Sequence, residues 1–318
     1  MKRRAFIELS GVAWVATPCA GQAQPRKLRR IGVLIANNAE IWFPPLRAAL
    51  RDLGHVEGTS LLVEYRSAEG SASRLAELAA ELVQLKVEVI VALQTPAAVA
   101  AQRATRDIPI VVSMGDPVGT GLVDSVARPG GNITGFSSTT GELVGKQLEL
   151  VHEIIPSARR VAALANAPDP FSRPFLAQLK IAALSKGLSL EAALLERADQ
   201  LEAAFLAMIE KGVDAVVVQG SLPSQRSAQL ALRHRLPSVS DNRLFVTAGG
   251  LASYSGSFTE RNRRVADYVD RILKGARPAD LPISQSTLFE LAINLKSAAA
   301  LGLALPPALV QRADEVIE

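Results

Sequence analysis

From residue 28 onward the chain keeps one rhythm. A short apolar run rich in β-branched residues gives way to small polar residues, then to a stretch of helical periodicity. Arg30–Ala36 (RIGVLIA), Leu61–Tyr65, Val87–Leu93 and Ile108–Ser113 read as strands. Between them Pro44–Leu53, Ser73–Gln84 and Ala97–Thr105 read as helices, the second with Leu75, Leu78, Ala79 and Leu82 on one face. Such alternation argues for βαβ units and a parallel sheet.

The rhythm restarts near residue 141. Strands are expected at Arg160–Ala165, Leu188–Leu195, Val213–Gln219 and Ser238–Ser240, with helices at Gly141–Ile155, Phe171–Lys186, Asp199–Lys211 and Pro223–Arg233. The fold class is therefore α/β, with two Rossmann-like lobes built on parallel sheets. A further strand (Leu251–Tyr254), a long helix (Thr259–Lys274), a Pro-rich connection (276–286) and a last strand (Leu288–Leu295) follow the second lobe. These extra pieces imply several crossings between lobes, and crossings of this kind act as hinges. The expected division is 25–140 plus about 249–282 for lobe 1, and 141–248 plus about 283–318 for lobe 2.

A length of 318 residues suits two lobes of ordinary size. Aromatics make up only 4% of the chain, and small apolar residues suit helices packed closely on parallel sheets. The net charge is +4, half of it from Lys2, Arg3, Arg4 and Glu8. The remaining basic residues form no stripe interleaved with aromatics, so no nucleic-acid partner is expected. One cysteine, Cys19, cannot form a disulfide within the chain.

Residues 1–24 have the layout of a secretory signal peptide: a basic start, a short apolar middle and small residues before a cleavage point after Ala23. Arg3-Arg4-Ala5-Phe6-Ile7 resembles a twin-arginine signal, although Lys2 stands where a serine or threonine is usual. Pro18 directly before Cys19 argues against a lipid anchor there. The chain is thus expected to be periplasmic.

Catalytic readings find little support. His55, His152 and His234 all fall away from expected strand ends, and none is spaced with a second metal ligand. Gly135-Phe136-Ser137-Ser138-Thr139 fails the nucleophile-elbow pattern at its last position. Gly119-Thr120-Gly121-Leu122-Val123-Asp124 carries aspartate where a dinucleotide fingerprint needs glycine, and Gly145-Lys146 lacks the upstream glycine of a P-loop. No enzyme, cofactor or metal is expected.

Open parallel sheets bind ligands beyond the carboxyl ends of their strands. Those ends supply Asn37, Asn38, Gln94, Thr95, Gly115 and Asp116 from lobe 1, and Asn166, Gln219, Ser221 and Asp241 from lobe 2. Most are neutral hydrogen-bonding groups, suited to holding a small polar molecule rather than breaking bonds. Asp116 has two readings of equal weight: a brace for the turn begun by Asp116-Pro117, or a partner for a ligand ammonium.

The segment GDPVGTGLVDSVARPGGNITG (115–135) resembles the signature of the ABC-transporter substrate-binding protein family that includes the tryptophan-binding type of periplasmic protein. A second stretch of resemblance runs through GGLASYSGSFTERNRRVADYVDRILKGARPADLP (249–282) and FELAINLKSAAALGLALPPALVQRADEVIE (289–318). The resemblance implies a type I periplasmic-binding fold with a multi-crossover hinge. It also implies capture of a small-molecule solute, an amino acid or aromatic carboxylate, for the permease of an ABC importer, with the membrane met only through that permease. In that setting Thr95 and Ser221 would meet a ligand carboxylate, Asp116 or Asp241 an ammonium, and Tyr254, Trp42 or Phe171 an apolar side chain. A ligand-sensing module for a membrane receptor and a nucleotide-dependent α/β enzyme stand as alternatives.

Overall fold

The computed structural model describes residues 28–318 apart from Asn38 and Thr140; the expected signal segment lies outside the described residues, as does Asn38. The first half runs β1 (Arg29–Ile35), α1 (Ala39–Asp52), β2 (Leu61–Ser67), α2 (Ala72–Gln84), β3 (Val89–Leu93), α3 (Thr95–Ala104), β4 (Ile110–Gly115) and β5 (Ile133–Thr139). The second runs α4 (Gly141–Ile154), β6 (Arg160–Asn166), α5 (Ser172–Ser185), β7 (Ser189–Leu195), α6 (Leu201–Glu210), β8 (Ala215–Val218), α7 (Ser224–Arg233), β9 (Ser238–Ser240), α8 (Arg243–Thr247) and β10 (Ala252–Gly256). The chain ends with α9 (Phe258–Leu273), β11 (Ser284–Gln285), β12 (Phe289–Asn294), α10 (Leu295–Leu301), α11 (Pro307–Gln311) and β13 (Glu315–Ile317).

Two sheets form. The first has the order β2-β1-β3-β4-β5-β11 and is parallel throughout. The second has the order β7-β6-β8-β9-β10-β12-β13, parallel except where β10 meets β12. Both faces of each sheet are covered. On β1, Leu34 (with Ala36 just beyond the strand) faces one core while Ile31, Val33 and Ile35 face another, which is why the strand reads as continuous apolar sequence. The second sheet repeats the pattern, with Ala163 and Ala165 on one side and Ala162 and Leu164 on the other. Among the described residues no helix is long and apolar enough to cross a membrane.

Sheet pairing redraws the expected lobe boundaries. The segment from 249 was assigned to lobe 1, but β10 is a strand of the second sheet, paired with β9 and β12. The segment from 283 was assigned to lobe 2, but β11 pairs with β5 of the first sheet. Between them α9 packs on α1 and on β3, β4 and β5. The chain therefore crosses at 139–141, at 256–258 and at 285–289. Local pattern cannot reveal this, because β10 and α9 are adjacent in sequence yet bury their faces in different cores.

Before the first crossing, Ile133–Thr139 form strand β5. Gly135 makes the strand possible: its φ is +144°, and a Cβ there would lie 2.1 Å from the Val112 carbonyl oxygen of β4. Only glycine lets the two backbones come so close.

Candidate functional site

The strand orders place the site. In the first sheet β2 and β3 flank β1, and in the second β7 and β8 flank β6, so successive connections leave opposite faces at β1/β3 and at β6/β8. A crevice opens beyond the carboxyl ends at such points. Each crevice is fastened the same way. In the first, the side-chain carbonyl of Gln94, just after β3, accepts the backbone N–H of Asn37, just after β1, at 3.0 Å. In the second, Gln219, just after β8, accepts the N–H of Asn166, at the end of β6, at 2.8 Å. Gln94 holds φ +75° and ψ 153°, a backbone region that belongs almost wholly to glycine. Its N–H donates to Ser113 at 2.7 Å, which helps hold that geometry.

Between the two crevices lies a cavity of about 310 Å³, lined from both sheets. It meets a wider outer chamber of about 480 Å³ that shares Trp42, Gln94, Ser221 and Leu244 with it. The inner volume lies at the lower end of the usual range for small-molecule sites. Gln94, Thr95, Gly115, Gln219, Ser221, Asp241 and Trp42, all expected at the site, line the inner cavity. Thr95 is 4% exposed and opens α3, whose N-terminus faces the ligand space with Pro96 next in line. Asn37 lines only the outer chamber.

Three other expected residues are placed elsewhere. Asp116 lies outside the cavity lining and accepts the Gly119 N–H at 2.8 Å, so its turn-bracing reading prevails. The loop it braces tucks Leu122 and Val123 into the core. Asn166 works through its backbone, because its N–H is spent on Gln219 and its carbonyl accepts the Ser172 hydroxyl. Tyr254 packs behind the sheet, stacked on Phe289 with ring centroids 5.9 Å apart.

The second sheet brings two acids to the cavity. Asp169, missed in the sequence because it lies in the Pro168-Asp169-Pro170 turn, is 5% exposed. It accepts the Phe171 N–H at 3.0 Å and the Gln219 amide at 3.0 Å. Burial raises its carboxyl above the ordinary range, while the Phe171 N–H and the Ser221 hydroxyl work in the opposite direction. Asp241 accepts the Gly220 N–H at 2.6 Å. Burial pushes it up to about 6, and the charge of Asp169 adds to the rise. Neither acid forms an ion pair among the described residues. Between them lies the buried hydroxyl of Ser221, which also acts on Asp169.

The first sheet's side brings a cation that the sequence gave no reason to single out. Arg261, in the first turns of α9, reaches into the cavity from the hinge end. Its guanidinium carbon lies 4.0 Å from the Trp42 ring centroid and 4.3 Å from that of Phe258. Its Nε and Nη2 are buried and have no hydrogen-bond partner among the described residues. Burial lowers it to about 9, against the opposing pull of Glu290, so it remains a cation at neutral pH. Phe171 reaches across the cleft from the second sheet, and a Cβ on Gly115 would lie 3.1 Å from its ring.

One wall is thus cationic and aromatic, the other acidic, and no group on either is poised as a nucleophile. Among the described residues no cluster of three metal-ligating side chains occurs.

Comparison with known proteins agrees with this geometry. The architecture is that of type I periplasmic-binding proteins. A domain from Streptococcus pneumoniae solved in complex with L-Trp is 26% identical, covering 91% of this chain and all of that one, with a TM-score of 0.86. A conserved domain protein of Vibrio cholerae is 27% identical over the same shares, also with a TM-score of 0.86. The tyrosine-binding protein of Clostridioides difficile is 26% identical over 253 residues, which are 77% of this chain and 72% of the relative. The sequence model of ABC transporter substrate binding proteins, a family of binding proteins and not of enzymes, matches residues 44–317. With that match spanning most of its length, the chain belongs to the ABC transporter substrate binding protein family.

Proposed function

We propose that the chain captures an amino acid with an apolar side chain in the cleft between its sheets, in the periplasm, and delivers it to the permease of an ABC importer. The observation that carries this reading is a cavity of about 310 Å³ in which two acids, Asp169 and Asp241, neither in an ion pair among the described residues, face a wall of aromatic residues and Arg261. An ammonium from the solute supplies the acids with a counter-charge. Phe171, Met114 and Leu244 offer apolar surface to a side chain. The relatives that bind L-Trp and tyrosine support the class of solute. The signal-like residues 1–24 support export.

A solute that touches both sheets favours the closed cleft only through contacts made in that state. The closed form is then the one for a permease to recognise. A thermal-shift screen of the purified chain with the protein amino acids, aromatic acids, sugars and nucleotides tests the reading. A rise in Tm with apolar or aromatic amino acids supports it. A rise with sugars or nucleotides alone sinks it.

A further inference from the structure

Arg261 is the least satisfied polar group of the cleft. Trp42 and Phe258 both pack their rings against its guanidinium and help hold the fork in place. The two nitrogens without a partner are Nε and Nη2. Those atoms form the side edge of the guanidinium, whose two parallel N–H bonds match the two oxygens of a carboxylate. Glu290, also in the cavity lining, acts on it electrostatically, and the two make no ion pair among the described residues. Across the cavity stand Asp169 and Asp241, tied to successive residues Gln219 and Gly220.

From this arrangement we infer that Arg261 is the seat of the solute's carboxylate, while Asp169 and Asp241 hold its ammonium, so that the charge axis of a zwitterion bridges the two sheets. The inference rests on the amino-acid reading above and departs from the sequence expectation, which gave the carboxylate to Thr95 and Ser221. A buried arginine with a rigid fork binds a carboxylate in two bonds; a threonine at a helix start offers a hydroxyl and backbone N–H groups. Because Arg261 stands on α9, which packs on the first sheet, and the acids stand on the second, one small molecule meets opposite charges on both sides of the hinge. Loss of either end of the zwitterion leaves one wall without its counter-charge.

Calorimetric titration of the purified chain provides the test. The probes are L-tryptophan, L-tyrosine, L-phenylalanine and L-leucine, each beside its methyl ester and its decarboxylated amine. The wild-type chain is expected to bind at least one amino acid, and to bind its ester and amine at least about 100-fold more weakly. Arg261→Leu is expected to lose about 100-fold for the amino acid and to discriminate no longer between acid and ester. Arg261→Lys should recover part of both. Since Arg261→Leu removes an unpaired buried cation, its ligand-free Tm should match or exceed the wild-type value, which separates lost binding from lost folding. If Arg261→Leu retains the amino acid within about threefold, or the wild type takes the ester as tightly as the acid, the carboxylate sits elsewhere. Those outcomes overturn the inference and leave the amino-acid reading standing. Failure of all four amino acids to bind overturns both.

Discussion

Burial works against Asp241 throughout the neutral range. Its ordinary carboxyl value of 3.8 rises to about 6 in the fold. Between those values the folded chain binds more protons than the unfolded one, so stability falls as pH climbs through the window and stays lower above it. A rise of about two units is worth on the order of 3 kcal/mol for a fully dry site, and less here because the residue is partly open to the cleft. Asp241→Asn keeps an acceptor for the Gly220 N–H while removing the charge. It is expected to raise the ligand-free stability by about 1–2 kcal/mol at pH 7.5, with the gap closing by about pH 4. The same variant should lose amino-acid binding; urea titrations at the two pH values and calorimetry at neutral pH check the pair of effects. Gly115 carries a second prediction. Gly115→Ala sets a methyl 3.1 Å from the Phe171 ring on the opposite wall, tighter than ordinary contact. Closure should become harder and affinity fall by about tenfold, with stability shifted by no more than about 0.5 kcal/mol. Calorimetry beside a thermal melt separates the two.

At the scale of the element, α9 gathers the hinge. Ser257 caps it, accepting the Glu260 N–H at 3.3 Å, while the Ser257 N–H donates to Leu288 at 2.8 Å. Glu260 accepts from the Thr287 and Leu288 backbones at 3.2 and 3.1 Å and from the Ser286 and Thr287 hydroxyls at 3.2 and 2.8 Å. Two of the three crossings are thereby tied together. Burial alone would raise the Glu260 carboxyl, but these hydrogen bonds hold it below the ordinary range. It therefore contributes stability above the ordinary carboxylate range, and that contribution is lost as pH falls through its folded value. Glu260→Ala should cost about 2–4 kcal/mol at pH 7 and much less in acid, as urea midpoints would show. The extent of α9 was nearly legible in the sequence, 258–273 against an expected 259–274, because its apolar face is periodic. Its role was not. Glu260 and Arg261 are consecutive surface-like charges in a row of charges, and only contacts with residues far along the chain set one to the hinge and the other to the cleft. Strand ends behaved differently. Gln94, Thr95, Gly115, Gln219, Ser221 and Asp241 line the cavity because parallel pairing brings the ends of β3 and β4 to one edge of the first sheet and those of β8 and β9 to one edge of the second, and the cavity lies between those edges. Asp169 escaped that logic because it sits one turn beyond its strand, and Tyr254 misled it because β10 faces a core at that position.

On the scale of the whole molecule, interleaving matters more than the two-lobed outline. Neither sheet is a contiguous stretch of chain, since β11 and α9 complete the first after most of the second has been passed. Heating is therefore expected to give one cooperative transition rather than two, with calorimetric and van't Hoff enthalpies in agreement. A bound solute at a hundredfold excess over Kd should move that single transition by a stability gain of about 2.7 kcal/mol. Two separate transitions, with only one moved by solute, would show that the crossings leave the halves independent.

The same threading bears on the order in which the protein is made. One face of the first sheet is sealed by Val265, Ala266, Tyr268, Val269, Ile272, Leu273 and Leu281, which pack with Ile31, Val33 and Val91. A nascent chain has β1 through β5 in hand long before any of those residues leaves the ribosome. Domains generally fold from the N-terminus as synthesis proceeds, but here one face of the first sheet has only α1 over it until α9 is made, after β6 to β10 of the second sheet. Until α9 and β11 are made, the first lobe stays open to threading or to chaperones, and the two lobes are expected to settle together.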